Sequence, residues 1–169
     1  MRRNVYATAA LVALLAVLMG AGGAKVAESP RAAHKVTRII DGDTIEVEIT
    51  WASFVQLETV RLTGVDAPER GEVYSAESAT FLTNLLKGDS VYLTFESGDE
   101  KPSRDRYGRI IASVYRAPDG MDVCLELVRQ GYARAWDGVS TRRREFSDIE
   151  AGARSRGKGL WAVGGDAGG

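Results

Sequence analysis

The sequence holds a single cysteine, Cys124, and a single histidine, His34, and these two scarcities exclude a good deal. One cysteine cannot close an internal disulfide framework, and one cysteine with one histidine cannot build a Cys/His zinc centre. A Ser–His–Asp hydrolase would have to be built on His34, at the edge of the folded region. Four prolines, with no repeat and no low-complexity block, argue against a solenoid or a linker protein. Charge of one sign is not in excess either, with 22 basic residues against 23 acidic ones. No global positive field therefore draws in nucleic acid, and an anionic substrate has to be held by local arginines. The 169 residues suffice for one ordinary domain and not for two. With 44% hydrophobic and 27% charged residues, that domain is globular rather than disordered. The remaining chemistry rests on carboxylates, guanidinium groups, hydroxyls and a hard metal ion.

Residues 1–24 stand apart. Arg2 and Arg3 form a short basic region, residues 7–19 are an uncharged run rich in Ala, Leu and Val, and small residues follow from Gly20 to Ala24. The pattern predicts a secretory signal peptide cut near Gly23 or Ala24, and hence an exported protein, secreted or periplasmic. The alternative is an uncleaved membrane anchor, since residues 5–24 are just long enough to span hydrocarbon. Loss of Arg2 and Arg3, the leader's only charged residues, lowers the net charge from −1 to −3. Cys124 then stays unpaired, and its place in the apolar-periodic stretch 123–128 predicts a buried small hydrophobe rather than a reactive thiol.

After a polar lead-in over 25–34, the folded domain is expected over 35–162, with a Gly-rich tail over 163–169. Strands are predicted over 35–40, 44–50 and 54–63, the second alternating Ile45, Val47 and Ile49 against Glu46 and Glu48. Ser75 is a plausible N-cap for a helix to Lys87 stopped by Gly88, with Ala79, Leu82, Leu85 and Leu86 on its apolar face. Further strands over 90–96 and 109–116 flank a charged loop, and helices over 122–130 and 141–156 complete the order. Five short strands with a helix between the third and fourth predict an α+β fold: a five-stranded OB-type β-barrel with about three helices, preceded by the signal or anchor segment.

Three clusters could do chemistry, all at strand ends or in loops. In Asp41-Gly42-Asp43-Thr44, two carboxylates around a glycine turn offer hard oxygen ligands to calcium or magnesium, though Asp and Gly are also ordinary turn formers. In the stretch from Arg61 to Glu69, an arginine, the carboxylate of Asp66 and a second carboxylate lie within nine residues. Phosphodiester hydrolysis uses such a set: a metal on the phosphate oxygens, a guanidinium against the charge that builds, a carboxylate to take a proton from water. A surface arginine beside a turn-forming aspartate is the plainer reading of the same residues. In Asp105-Arg106-Tyr107-Gly108-Arg109, a second arginine would complete a clamp on phosphate. By itself, that stretch is a charged loop with an aromatic anchor.

Together the clusters resemble the staphylococcal nuclease-like (thermonuclease) family. One signature is matched by Asp41-Gly42-Asp43-Thr44 with Arg61 and Val65-Asp66-Ala67-Pro68-Glu69, the other by Asp105-Arg106-Tyr107-Gly108-Arg109. Residues 127–133 and 157–161 are further family-like pieces, so the likeness covers about residues 35 to 162. The resemblance implies a calcium ion held by Asp43, Asp66 and the backbone carbonyl of Ala67. It implies that Arg61 and Arg109 hold the scissile phosphate, that Glu69 is the general base, and that Arg106 and Tyr107 contact a terminal phosphate. The implied activity is cleavage of DNA and RNA with little sequence preference, leaving 3′-phosphate ends.

The sequence also departs from the family pattern. Residues 50–54 lengthen the hairpin between Thr44 and Arg61, and their aromatics either pack on the barrel, which is the expectation, or form a contact surface. The connection from Glu69 to Ser75 is short. The aromatics that stack a base in the family's prototype have no obvious match, and Tyr132 and Trp136 are the substitutes on offer. Arg142-Arg143-Arg144 is either a track for a phosphate backbone or a solvated helix face. The competing function is a non-catalytic OB-type module that binds nucleic acid or a protein; the intact carboxylate and arginine set favours the enzyme. A small barrel buries its core alone, so a monomer is expected, with a membrane as partner only if the N-terminal segment is uncleaved.

Overall fold

A computed structural model describes residues 32–51, 54–86, 88, 90–96, 102–117, 119–138 and 140–162. The expected leader over 1–24, most of the lead-in and the tail over 163–169 lie outside the described residues, as do Ala52 and Ser53 of the long hairpin. Among the described residues, no helix is long and apolar enough to cross a membrane.

Five strands close into a barrel: β1 (His34–Ile39), β2 (Thr44–Trp51), β3 (Phe54–Leu62), β5 (Ser90–Thr94) and β6 (Ile110–Arg116). Their order around the barrel is β1-β2-β3-β6-β5, and β5 returns to β1 through His34↔Val91 and Lys35↔Ser90. All neighbours are antiparallel except β3 and β6, which run parallel through Val60↔Ile110, Arg61↔Ile111 and Leu62↔Ala112. The interior is built by period-two alternation. Ile45, Val47 and Ile49 point inward from β2, as do Val60 and Leu62 from β3, Val91 and Leu93 from β5, and Ile110, Ala112 and Val114 from β6; all are buried. The five-stranded OB-type α+β fold is present, with each barrel strand within two residues of its expected ends.

Among the described residues, three helices cover the barrel. Helix α1 (Ser75–Leu86) buries Ser78, Leu82 and Leu86. Its N-terminus corrects the sequence reading. Ser75 is the first helical residue, and the cap position belongs to Tyr74, whose carbonyl accepts the first helical bond from Ser78 N at 2.9 Å and whose φ is 72°. Helix α2 (Val123–Arg129) is capped by Asp122, whose carboxylate accepts from Leu125 N at 2.9 Å. It buries five of its seven residues, Cys124 among them, and burial pushes that thiol up to about 12. Helix α3 (Arg143–Ser155) buries Phe146 and Ala153. A two-residue strand pair that the sequence did not announce, β4 (Val65–Asp66) with β7 (Arg134–Ala135), ties the end of β3 to the segment before α3.

The long hairpin does not pack as expected. Pairing of β1 with β2 runs from Ile39↔Ile45 only as far as Lys35↔Glu48, while β2 and β3 stay paired to Trp51↔Phe54. The tip therefore extends beyond the strand that would cover it, and Phe54, Val55 and Leu57 are 57%, 63% and 56% exposed.

Candidate functional site

Sheet register assembles the three clusters. Thr44 pairs with Arg61 across β2 and β3, Leu62 N donates to Asp43 O at 2.9 Å, and the parallel pairing of Arg61 with Ile111 places the segment before β6 alongside. The Asp41–Thr44 turn is held by its own polar groups: Asp43 N donates to Asp41 Oδ1 at 3.0 Å and Ile40 N to Thr44 O at 2.9 Å. Gly42 is there because α1 comes close. A Cβ at that position would lie 2.2 Å from Ser78 Oγ and 2.7 Å from Ala67 Cβ. Ser78 is itself fixed, donating its hydroxyl to Tyr132 O at 2.6 Å.

Arg61 is the hub. Its Nη1 donates to Leu62 O and Val65 O, both at 2.8 Å, so the guanidinium is locked in the bend between β3 and β4. Its Nη2 lies 3.1 Å from Asp43 Oδ2 and 3.2 Å from Asp66 Oδ1. Asp43 Oδ2 also accepts from Ala67 N at 2.8 Å, and its Oδ1 from Thr44 Oγ1 at 3.0 Å. Arg109 reaches the same group from the other side, Nη1 donating to Thr44 Oγ1 at 3.4 Å. The chain Arg109–Thr44–Asp43–Arg61–Asp66 thus joins all three clusters.

The donor set can be tested against a hard divalent cation. Two carboxylate oxygens, from Asp43 and Asp66, already converge on the cationic Nη2 of Arg61. Burial pushes the Asp43 carboxyl up to about 6, outweighing the opposing pull of Arg61 and the hydrogen bond from Ala67 N. Hard oxygen donors of this kind suit calcium or magnesium. No group of three or more His, Cys, Asp or Glu side chains gathers among the described residues, so the protein's further share would be a backbone carbonyl.

Beside this cluster lies a cleft of about 460 Å³, whose lining includes Arg61, Asp105, Arg106, Tyr107, Arg109 and Trp136. Tyr107 is 68% exposed and has two cations near its ring, with Arg106 Cζ 4.7 Å and Arg109 Cζ 5.5 Å from the ring centre. Arg109 is aimed by Asp105, a residue the sequence reading left without a role. Asp105 Oδ2 accepts from Arg109 Nε at 2.7 Å, and Oδ1 accepts from Arg109 N and Tyr107 N at 3.0 and 2.9 Å. The spacing Asp105…Arg109 around a glycine is the signal that could have revealed it.

Other expected residues fall elsewhere. Glu69 is exposed between β4 and α1, where its backbone turns with Glu72, N donating to Glu72 Oε2 and O accepting from Glu72 N, both at 2.9 Å. Among the described residues its carboxylate takes no hydrogen bond, and it is not among the residues that line the cleft. Of the two substitute aromatics, only Trp136 lines the cleft; Tyr132 stacks on Phe81 with ring centres 4.1 Å apart. Arg142 is committed to the scaffold through Asp122 at 2.7 Å and Glu145 at 2.8 Å, while Arg143 and Arg144 are exposed.

Comparison with known proteins gives the family. The family profile described as "Staphylococcal nuclease homologue" matches residues 59–163. An uncharacterized endonuclease of Escherichia coli is 36% identical over 128 residues, 76% of each chain. Protein ParB of Escherichia coli is 33% identical over 173 aligned positions, covering 96% of this chain and 88% of its own. A protein of Methanocaldococcus jannaschii is 28% identical over 151 positions, covering 75% of this chain and 70% of its own. The chain belongs to the staphylococcal nuclease homologue family.

Proposed function

We propose that this chain is an exported, calcium-dependent nuclease that hydrolyses phosphodiester bonds of DNA and RNA with little sequence preference and leaves 3′-phosphate ends. One observation carries the reading: Arg61 and Arg109, from separate segments, reach one cleft and are linked through Thr44 and Asp43. Family membership and the endonuclease name of a relative support the same chemistry. The leader-like residues 1–24 support export.

In this reading a phosphate enters the cleft and takes hydrogen bonds from Arg61 and Arg109, whose planar forks match its oxygens. Arg61 is oriented by two carbonyls and Arg109 by Asp105, so both guanidinium groups are positioned before charge builds on the phosphoryl oxygens, with Arg61 Nη2 turning from its carboxylates toward the phosphate. Glu69 takes a proton of the attacking water as its oxygen bonds to phosphorus, the P–O5′ bond breaks on the opposite side, and the departing 5′-oxygen takes up a proton from solvent. From its exposed position Glu69 has to approach the bound phosphate. Asp43, Asp66 and the Ala67 carbonyl would hold calcium, which supplies Lewis-acid charge at the phosphoryl oxygens. Arg106 and Tyr107 meet a terminal phosphate at the outer end of the cleft, and Trp136 offers its face to a base.

The test is digestion of plasmid, single-stranded DNA and RNA by the purified chain under calcium, magnesium or excess chelator, alongside Glu69→Gln and Arg109→Ala. The expected result is calcium-dependent cleavage leaving 3′-phosphate ends, strongly slowed by both substitutions. Folded protein that cleaves nothing under any metal would refute the enzyme and leave a nucleic-acid or protein binding barrel.

A further inference from the structure

Glu58 stands in β3 where the alternation calls for an apolar residue. It is in step with Val60 and Leu62, lies opposite the buried Val47, and is 6% exposed. A carboxylate in such a place needs a partner, and Arg104 supplies a two-pronged one. Nη1 donates to Glu58 Oε2 at 2.8 Å and Nη2 to Oε1 at 2.7 Å. The same Nη1 donates to Gly108 O at 2.8 Å, so Arg104 grips the barrel and the 105–109 loop at once.

That loop carries Tyr107 and Arg109 and is closed at its base by Asp105 N to Arg109 O at 2.9 Å and Ile111 N to Ser103 O at 3.0 Å. Glu58 sits three residues before Arg61 on the same strand. Glu58, Arg104 and Gly108 therefore connect the strand bearing one cleft arginine to the loop bearing the other. Neither Glu58 nor Arg104 lines the cleft. We propose that the Glu58–Arg104 pair is a positioning device that fixes the separation of Arg61 and Arg109 for the phosphate they share, an inference resting on the nuclease reading above.

The test compares the wild type with Arg104→Lys, Arg104→Met and the double variant Glu58→Leu/Arg104→Met. The single Met variant strands a buried carboxylate and risks unfolding. The double variant removes both charges, a replacement that cores commonly tolerate. Two readouts are used: kcat and KM on single-stranded DNA, and amide hydrogen exchange at Gly108, Arg109 and Ile111. For the double variant the expectation is an unchanged urea midpoint and loop amides that exchange faster. Its kcat falls by about 10- to 100-fold, the scale of a misplaced catalytic group, while KM moves less than about threefold. Arg104→Lys, which keeps the charge without the fork, should recover part of kcat. A folded double variant with wild-type kcat and wild-type exchange overturns the proposal and leaves the pair purely structural. A wild type that cleaves nothing overturns the nuclease reading and with it the catalytic meaning of the pair; unchanged loop exchange in the variants then also removes the clamp.

Discussion

Replacing Arg61 with lysine separates charge from geometry at the hub of the site. The arginine divides its work: Nη1 serves two backbone carbonyls at 2.8 Å, while Nη2 faces Asp43 and Asp66 at 3.1 and 3.2 Å. Its side chain is only 18% exposed, so these contacts are not screened as rim contacts are. A lysine keeps the positive charge but has a single nitrogen and no fork. If its ammonium stays with the carboxylates, the carbonyls of Leu62 and Val65 lose a charged donor. Such hydrogen bonds contribute about 1.5–3 kcal/mol each. Second lone pairs and local adjustment recover part of that, so the expected loss of stability is about 1–3 kcal/mol. It should appear as a lower urea midpoint at unchanged slope. On the proposed reaction, loss of one prearranged donor should lower kcat by about 100-fold or more. Arg61→Lys with a wild-type midpoint and wild-type turnover would show that only charge matters here, and the reasoning from the fork would be wrong.

Two more outcomes follow from single contacts. Gly64 has φ 75°, and a Cβ there would lie 2.4 Å from the Phe146 ring, so Gly64→Ala should cost about 2–4 kcal/mol in a urea melt through backbone strain and overpacking; a loss under about 0.5 kcal/mol would mean that the ring moves aside freely. For Asp105, burial alone raises the carboxyl's pKa. Hydrogen bonds from the Arg109 side chain and from the amides of Arg109 and Tyr107 outweigh it and hold the group below its ordinary value. The ionised carboxylate therefore stabilises the fold above its unfolded pKa of about 3.9, and that contribution is lost as pH falls through the lower folded value. Asp105→Asn should accordingly be less stable than wild type at pH 7, with a gap that starts to narrow at about pH 4 and closes only below the lowered folded value, whereas a gap that does not change with pH would remove the ion pair from the explanation.

The barrel was legible because its strands obey a simple rule. Ile45, Val47 and Ile49 alternate against glutamates, and a half-buried strand has no other way to satisfy both faces. The site was legible for a different reason: Asp43, Arg61, Asp66 and Arg109 occur in motifs whose order the sheet register then converts into proximity. The sequence was less legible where the outcome depended on a neighbour that the local sequence does not specify. Ser75 has the chemistry of an N-cap, but Tyr74 holds that position with a positive φ. Tyr132 has the chemistry of a base platform, but Phe81 on α1 already stacks on its ring.

Phe54 and Glu58 make the same point from opposite directions on one strand. Periodicity assigns each residue to a face of β3, and it cannot say whether anything lies against that face. At Phe54 little does among the described residues, because the pairing of β1 with β2 stops at Lys35↔Glu48 and the hairpin runs on past it, so an aromatic expected to pack is largely exposed. At Glu58 a charged residue occupies an inward position, which by sequence alone reads as an error in the alternation. The fold makes it tolerable by bringing in Arg104 from a loop 46 residues away in the chain. A break in an otherwise regular pattern is where a long-range partner is to be sought, and here that partner also holds the loop that carries Arg109.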